Sequence, residues 1–135
     1  MEIQQFEYND AGLTRVYENE KWMVGIKNWK PANDILNLDC LERHNETDEL
    51  FVLLAGKCIL LSATETAGGG LEIVAMAMEP LKVYNIPRTL WHNTVTMKDT
   101  KLILVEDSST GSKNSDVIQL DAAQIAAAKK LVAGR

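Results

Sequence analysis

Histidine and cysteine are scarce in this chain, with two of each, and proline occurs only three times. The cysteines, Cys40 and Cys58, are not spaced as Cys-x-x-Cys, which excludes a zinc knuckle and a thioredoxin-type motif and leaves them as reduced, buried thiols. No run approaches the ~20 apolar residues that cross a membrane. The first residues, Met1 to Gln5, have neither the positive start nor the apolar centre of a signal peptide, so a cytoplasmic location is expected. Positive charge is also short: 14 Lys and Arg stand against 19 Asp and Glu, a net charge of −5, and the cations form no cluster. Phosphate contacts need a basic patch, so the composition argues against nucleic acid as a partner. The three consecutive glycines, Gly68 to Gly70, lack the Lys-Ser/Thr ending and the helix of a phosphate loop and read as a hairpin loop. No nicotinamide, flavin or pyridoxal motif is present.

What is present is alternation with a period of two. Thr14–Glu18, Lys21–Trp29, Ile35–His44, Glu49–Ser62, Leu71–Met78, Pro80–Asn85, Trp91–Met97, Lys101–Glu106 and Val117–Leu120 read as short strands separated by turn signals, and Ile3–Tyr8 reads as an edge strand. In Lys21–Trp29 the residues Trp22, Val24 and Ile26 give one strongly apolar face. Pro31 denies a ladder donor and keeps its segment out of any central strand. Residues 121–133 form the one helix expected. Asp121 and Gln124 have capping-box spacing, Lys129 and Lys130 sit near the negative end, and Ile125, Ala128, Leu131 and Val132 make a narrow apolar stripe. At 135 residues the chain is expected to be one domain, with a barrel core over about 14–120. Many short strands with no βα alternation predict an all-β barrel or sandwich with one C-terminal α-helix.

The chemistry is concentrated in Leu41–Gly56. Cys40, Glu42 and His44 share one strand face; a polar break, Asn45-Glu46-Thr47-Asp48, precedes a second strand opening on Glu49; and Gly56 closes it. This stretch resembles the first motif of the cupin superfamily, in which His-x-His is followed after three or four residues by Glu and after six more by Gly. His44, Glu49 and Gly56 match, and Glu42 occupies the first histidine's position. Pro87-Arg88-Thr89-Leu90-Trp91-His92 is similar to the second motif, Pro-x-Gly, two residues, His, with Thr89 at the glycine position. The resemblance spans about residues 41–96. It implies a double-stranded β-helix or jelly-roll barrel, a divalent metal and a small molecule inside it, and pairing of two copies as a homodimer.

Both histidines of the chain fall on motif positions. His44, His92 and Glu49 make a set of two imidazoles and one carboxylate suited to iron, manganese or nickel, and Glu42 as a fourth ligand would keep zinc in range as well. Alternatively Glu42 stands beside the metal as a general base. The competing reading takes the histidines as core residues satisfied by Glu42 and Glu49, without metal. Phe51, Leu53, Leu104 and Met76 have inward parity, with Phe51 expected to touch ligand, and Arg88, in the turn at the barrel mouth, could hold an anionic substrate. Trp91 and Arg43 have outward parity. The resemblance covers metal-dependent isomerases, lyases and oxygenases of small polar or carboxylated molecules, and also non-catalytic binding or sensing barrels.

Overall fold

The computed structural model describes residues 1–135. Ten strands form two five-stranded antiparallel sheets: β1 (Leu13–Glu18), β2 (Trp22–Asn28), β3 (Cys40–His44), β4 (Glu49–Ala55), β5 (Cys58–Glu65), β6 (Leu71–Ala77), β7 (Val83–Ile86), β8 (Trp91–Thr96), β9 (Lys101–Asp107) and β10 (Ser115–Gln119). One sheet has the order β1-β2-β9-β4-β7 and the other β10-β3-β8-β5-β6. Every strand pair is antiparallel, and neighbours distant in sequence interleave across both sheets, which is the jelly-roll arrangement. The helix α1 (Ala122–Ala133) follows, capped reciprocally by Asp121 and Gln124 as the sequence predicts.

The apolar residues divide into two layers because strand side chains alternate. Met23, Phe51, Leu53, Cys58, Leu60, Leu102 and Leu104 meet between the sheets. Leu41, Ile59, Leu61, Ala63, Trp91 and Val95 point to the other side of the second sheet, where Ala128 and Val132 of α1 cover them. Trp91 and Arg43 do lie on this outer side, with the Arg43 guanidinium 4.4 Å from the Trp91 ring centre.

Several expectations are corrected. Ile3–Tyr8 forms no strand; the Tyr8 carbonyl is instead tied to the barrel by Asn28 and Lys101 side chains. Ile35–Asn37 is a single 3₁₀ turn, with Asp34 accepting from the Leu36 amide, so only Cys40–His44 of the longer predicted strand pairs. Met76 sits opposite Leu60 on the cavity side, but β6 is an edge strand and Met76 is 54% exposed. In β2 the more apolar face is not the inner one. Met23 is buried in the inter-sheet core and Lys27 lines the cavity, while Trp22 is 44% exposed.

The two motif turns have backbone reasons. Gly56 has φ +71°, and a Cβ there would stand 2.8 Å from the Asp99 carbonyl and the Thr100 Cα, where the β8–β9 turn crosses. Both the left-handed backbone and the close approach demand glycine. Gly56→Ala is expected to destabilise the fold by roughly 2–4 kcal/mol, seen as a lowered urea midpoint. Thr89, at the other motif's glycine position, has φ +72°. Its amide donates to the His44 carbonyl at 2.7 Å, holding the turn against β3, and its side chain is exposed. A β-branched residue is strained in this conformation, so Thr89→Gly is expected to stabilise by up to about 1 kcal/mol in the same assay.

Candidate metal centre

Four strand ends bring the polar side chains together. His44 ends β3, Glu49 opens β4, His92 is second in β8 and Glu106 is next to last in β9. The registers place Glu42 opposite His92 and Glu49 opposite Glu106, all on the inward face. His44, Glu49, His92 and Glu106 are buried, whereas the Glu42 side chain is 45% exposed.

The donor atoms converge. His92 Nε2 lies 3.1 Å from Glu49 Oε1 and 4.0 Å from Glu42 Oε1. His44 Nε2 lies 3.4 Å from Glu49 Oε1, 3.8 Å from Glu106 Oε1 and 3.9 Å from Glu42 Oε1. Their other ring nitrogens are engaged: His92 Nδ1 donates to the Leu90 carbonyl at 3.0 Å, and His44 Nδ1 is 2.8 Å from Ser115 Oγ. A carbonyl only accepts, so neutral His92 carries its proton on Nδ1 and turns the bare Nε2 lone pair toward a carboxylate. His44 Nε2 is buried without a hydrogen-bond partner. Two acceptors facing each other in a buried site repel unless a proton or a cation stands between them.

Charge is redistributed accordingly. Burial works against an ionised Glu49, but a proton standing between it and His44, His92 or Glu106 makes hydrogen bonds that outweigh burial and hold this carboxyl well below the usual range. Burial, together with bonding to Glu49 and its charge, pushes Glu106 up to about 9. The adjacent Glu49 carboxylate raises His44 against the opposing effect of burial. In metal-free form, Glu49 is therefore the charged member and Glu106 the protonated one.

The donor set fits a divalent ion. Donors about 2.1 Å from a common ion and at right angles around it stand about 3 Å apart, close to the shorter separations here. Two sets have all their donor atoms within 4.8 Å of one another: Glu42, His44 and His92, and His44, Glu49 and Glu106. Imidazole with carboxylate suits iron, manganese, nickel or zinc, and neither set includes a cysteine thiol.

A cavity of about 480 Å³ opens onto this cluster, lined by Glu42, His44, Glu49, Leu104 and Glu106, with Leu13 and Val117 of the facing edge strands and with Arg15, Lys27 and Lys30. Phe51 does not line it; it packs in the core beside Leu104. Arg88 lies outside, in a surface groove with Lys21, Trp22, Asp48 and Asn85. Glu106 and Lys27 are absent from the sequence-level set. Glu106 was legible by parity, since it follows Leu104 by two; Lys27 was not, because the apolar count in β2 set its face outward.

No protein-family model matches the chain, and no curated protein sequence matches it. Solved structures match its fold at low identity. Pac13, described as a nucleoside dehydratase, aligns with a TM-score of 0.58 at 8% identity over 85% of each chain. Pac13 of Streptomyces has also been solved with uridine. CapF, solved with the inhibitor 3-isopropenyl-tropolone, has a TM-score of 0.58 at 18% identity; it covers 82% of this chain, which matches only 33% of CapF. KdgF from Halomonas sp. has a TM-score of 0.53 at 12% identity, over 79% of this chain and 90% of that one. These are cupin-fold proteins, and the two-sheet antiparallel topology of this chain shares their fold. The chain is a small cupin-fold protein.

Proposed function

We propose that the barrel binds one divalent metal through His44, His92 and Glu49, completed by Glu42 or Glu106, and acts on a small polar molecule as a lyase or isomerase. The observation that carries the reading is the convergence of two buried imidazole nitrogens on carboxylate oxygens, one of them, His44 Nε2, without a hydrogen-bond partner, which a cation would satisfy. When bound, the metal would supply Lewis-acid polarisation of a ligand oxygen.

The chain's own groups divide the proton work. Glu42 makes no hydrogen bond to protein and its side chain is half-exposed at the cavity, so its carboxylate can accept a proton from carbon or oxygen of a ligand. Glu106, buried against Glu49, holds a proton in the metal-free site, and with an ion bound it would give up that proton and complete the donor set. A half-exposed carboxylate beside a Lewis-acid site suits elimination of water or a proton shift. Dehydration occurs on this fold in Pac13, as its description states. Loaded with manganese(II) in deuterated water, the protein is expected to exchange or eliminate a proton from a member of a panel of small hydroxy acids and nucleosides, followed by proton NMR. Glu42→Gln should abolish that change. A loaded protein that alters none of the panel contradicts catalysis.

A metal-free binding barrel is the second reading. It is favoured by the proton that Glu106 can share with Glu49, because one neutral and one ionised carboxyl beside a charged His44 balance the site without an ion. Uptake of stoichiometric metal would contradict it.

A further inference from the structure

One cation inside the barrel has no protein partner. Lys27, on the cavity face of β2, is half-buried. The ion pairs formed by lysine and arginine are Arg15–Glu18, Arg43–Asp116 and Lys82–Glu79, and Lys27 is in none of them. Of the other cations lining the cavity, Arg15 is committed to the Ser108 and Thr110 carbonyls and to Glu18, and Lys30 is exposed. Lys27 also lines an adjoining cleft of about 150 Å³ that it shares with Lys30 and Glu42, so it stands where two chambers meet. Burying an ammonium without a counter-ion is costly. Burial holds the Lys27 ammonium below the ordinary lysine range, and Glu49 and Glu42 oppose that only through space; both belong to the cluster of metal-donor candidates.

We infer that Lys27 anchors a carboxylate of the bound molecule, and that the ligand class is a small hydroxy acid whose hydroxyl is turned toward the His44 end of the cavity. This rests on the metal-centre reading for the hydroxyl end and on Lys27 alone for the carboxylate end. A single ammonium, without an arginine fork or a cradle of amides and sharing the cavity with the carboxyl groups of Glu42, Glu49 and Glu106, suits one negative charge better than a phosphate dianion.

The test is calorimetric titration of manganese-loaded wild type, Lys27→Met and Lys27→Arg with glycolate, malate, inorganic phosphate and glycerol, with metal content measured in each protein. Lys27→Met keeps the aliphatic stem and removes a half-buried charge, so it is expected to fold at least as stably as wild type. Glycolate or malate should bind wild type, weaken roughly tenfold or more in Lys27→Met and partly recover in Lys27→Arg, with metal content unchanged. Glycerol should bind no protein measurably. Equal affinity in wild type and Lys27→Met, tighter binding of phosphate than of either acid, or no binding of the acids to loaded wild type would each overturn the inference. If wild type takes up no metal, the functional reading fails separately. A Lys27-dependent affinity for the acids in the metal-free protein then upholds the carboxylate anchor, and its absence overturns it.

Discussion

Saturating manganese(II) or iron(II) is expected to raise the melting temperature of the protein by roughly 10 °C, and His44→Ala is expected to remove most of that gain. The size follows from linkage: an ion at a hundred times its dissociation constant adds about 2.7 kcal/mol to a fold that alone binds it. In a domain of this length each kcal/mol moves the midpoint by about 4 °C. His44→Ala deletes a donor whose Nε2 is within 4.0 Å of three carboxylate oxygens, and nothing else nearby supplies a nitrogen in its place. The substitution also relieves the orphaned imidazole, so the metal-free variant should lose less stability than a buried truncation ordinarily costs. Differential scanning calorimetry with and without the ion reads both effects. An equal metal-induced shift in wild type and His44→Ala would place the ion elsewhere.

The second large effect concerns pH. In metal-free protein the Glu106 carboxyl is raised from its ordinary value of 4.5 to about 9, so between those values the folded state holds a proton that the unfolded chain has released. Stability then falls as pH rises across that window, by at most about 1.4 kcal/mol per pH unit for one proton. His44 is raised too, so its contribution is complete below its ordinary value of 6.5 and is lost as pH climbs through its folded value. Glu49 is depressed and acts in the opposite sense: its contribution is present above 4.5 and is lost as pH falls below that. The metal-free protein should therefore be most stable at about pH 5 and weaken steadily toward about pH 9. Glu106→Gln keeps the shape and the donor while removing the titration, and should flatten most of the decline above about pH 7. Urea titrations in the presence of a chelator measure this directly. A decline of the same slope in both proteins would mean that Glu106 does not carry the proton.

The fold and four of the five cluster residues, Glu42, His44, Glu49 and His92, were legible because their signals are local. Alternation with period two gave the strands, the Asp121–Gln124 spacing gave the helix start, and the His44–Glu49–Gly56 spacing marks a strand, a turn and a crossing point that the backbone at Gly56 explains. Thr89 shows the same logic under strain, since the position needs a left-handed backbone whether or not glycine occupies it. What the sequence could not weigh was which face of a strand turns inward. In β2 apolar count pointed the wrong way, because Trp22 sits on an outer face and Lys27 lines the cavity. Met76 had the right parity on an edge strand, where parity no longer implies burial. Glu106 lay at the end of an apolar run, and only the β4–β9 register sets it against Glu49.

The most direct test is elemental analysis of protein purified without a metal-affinity tag, beside His92→Ala prepared in the same way. The account predicts close to one iron, manganese, nickel or zinc ion per wild-type chain, after anaerobic loading if not as purified, and little or none in His92→Ala. Wild-type protein that holds no divalent ion even after loading, or a His92→Ala variant that holds as much as wild type, would contradict it.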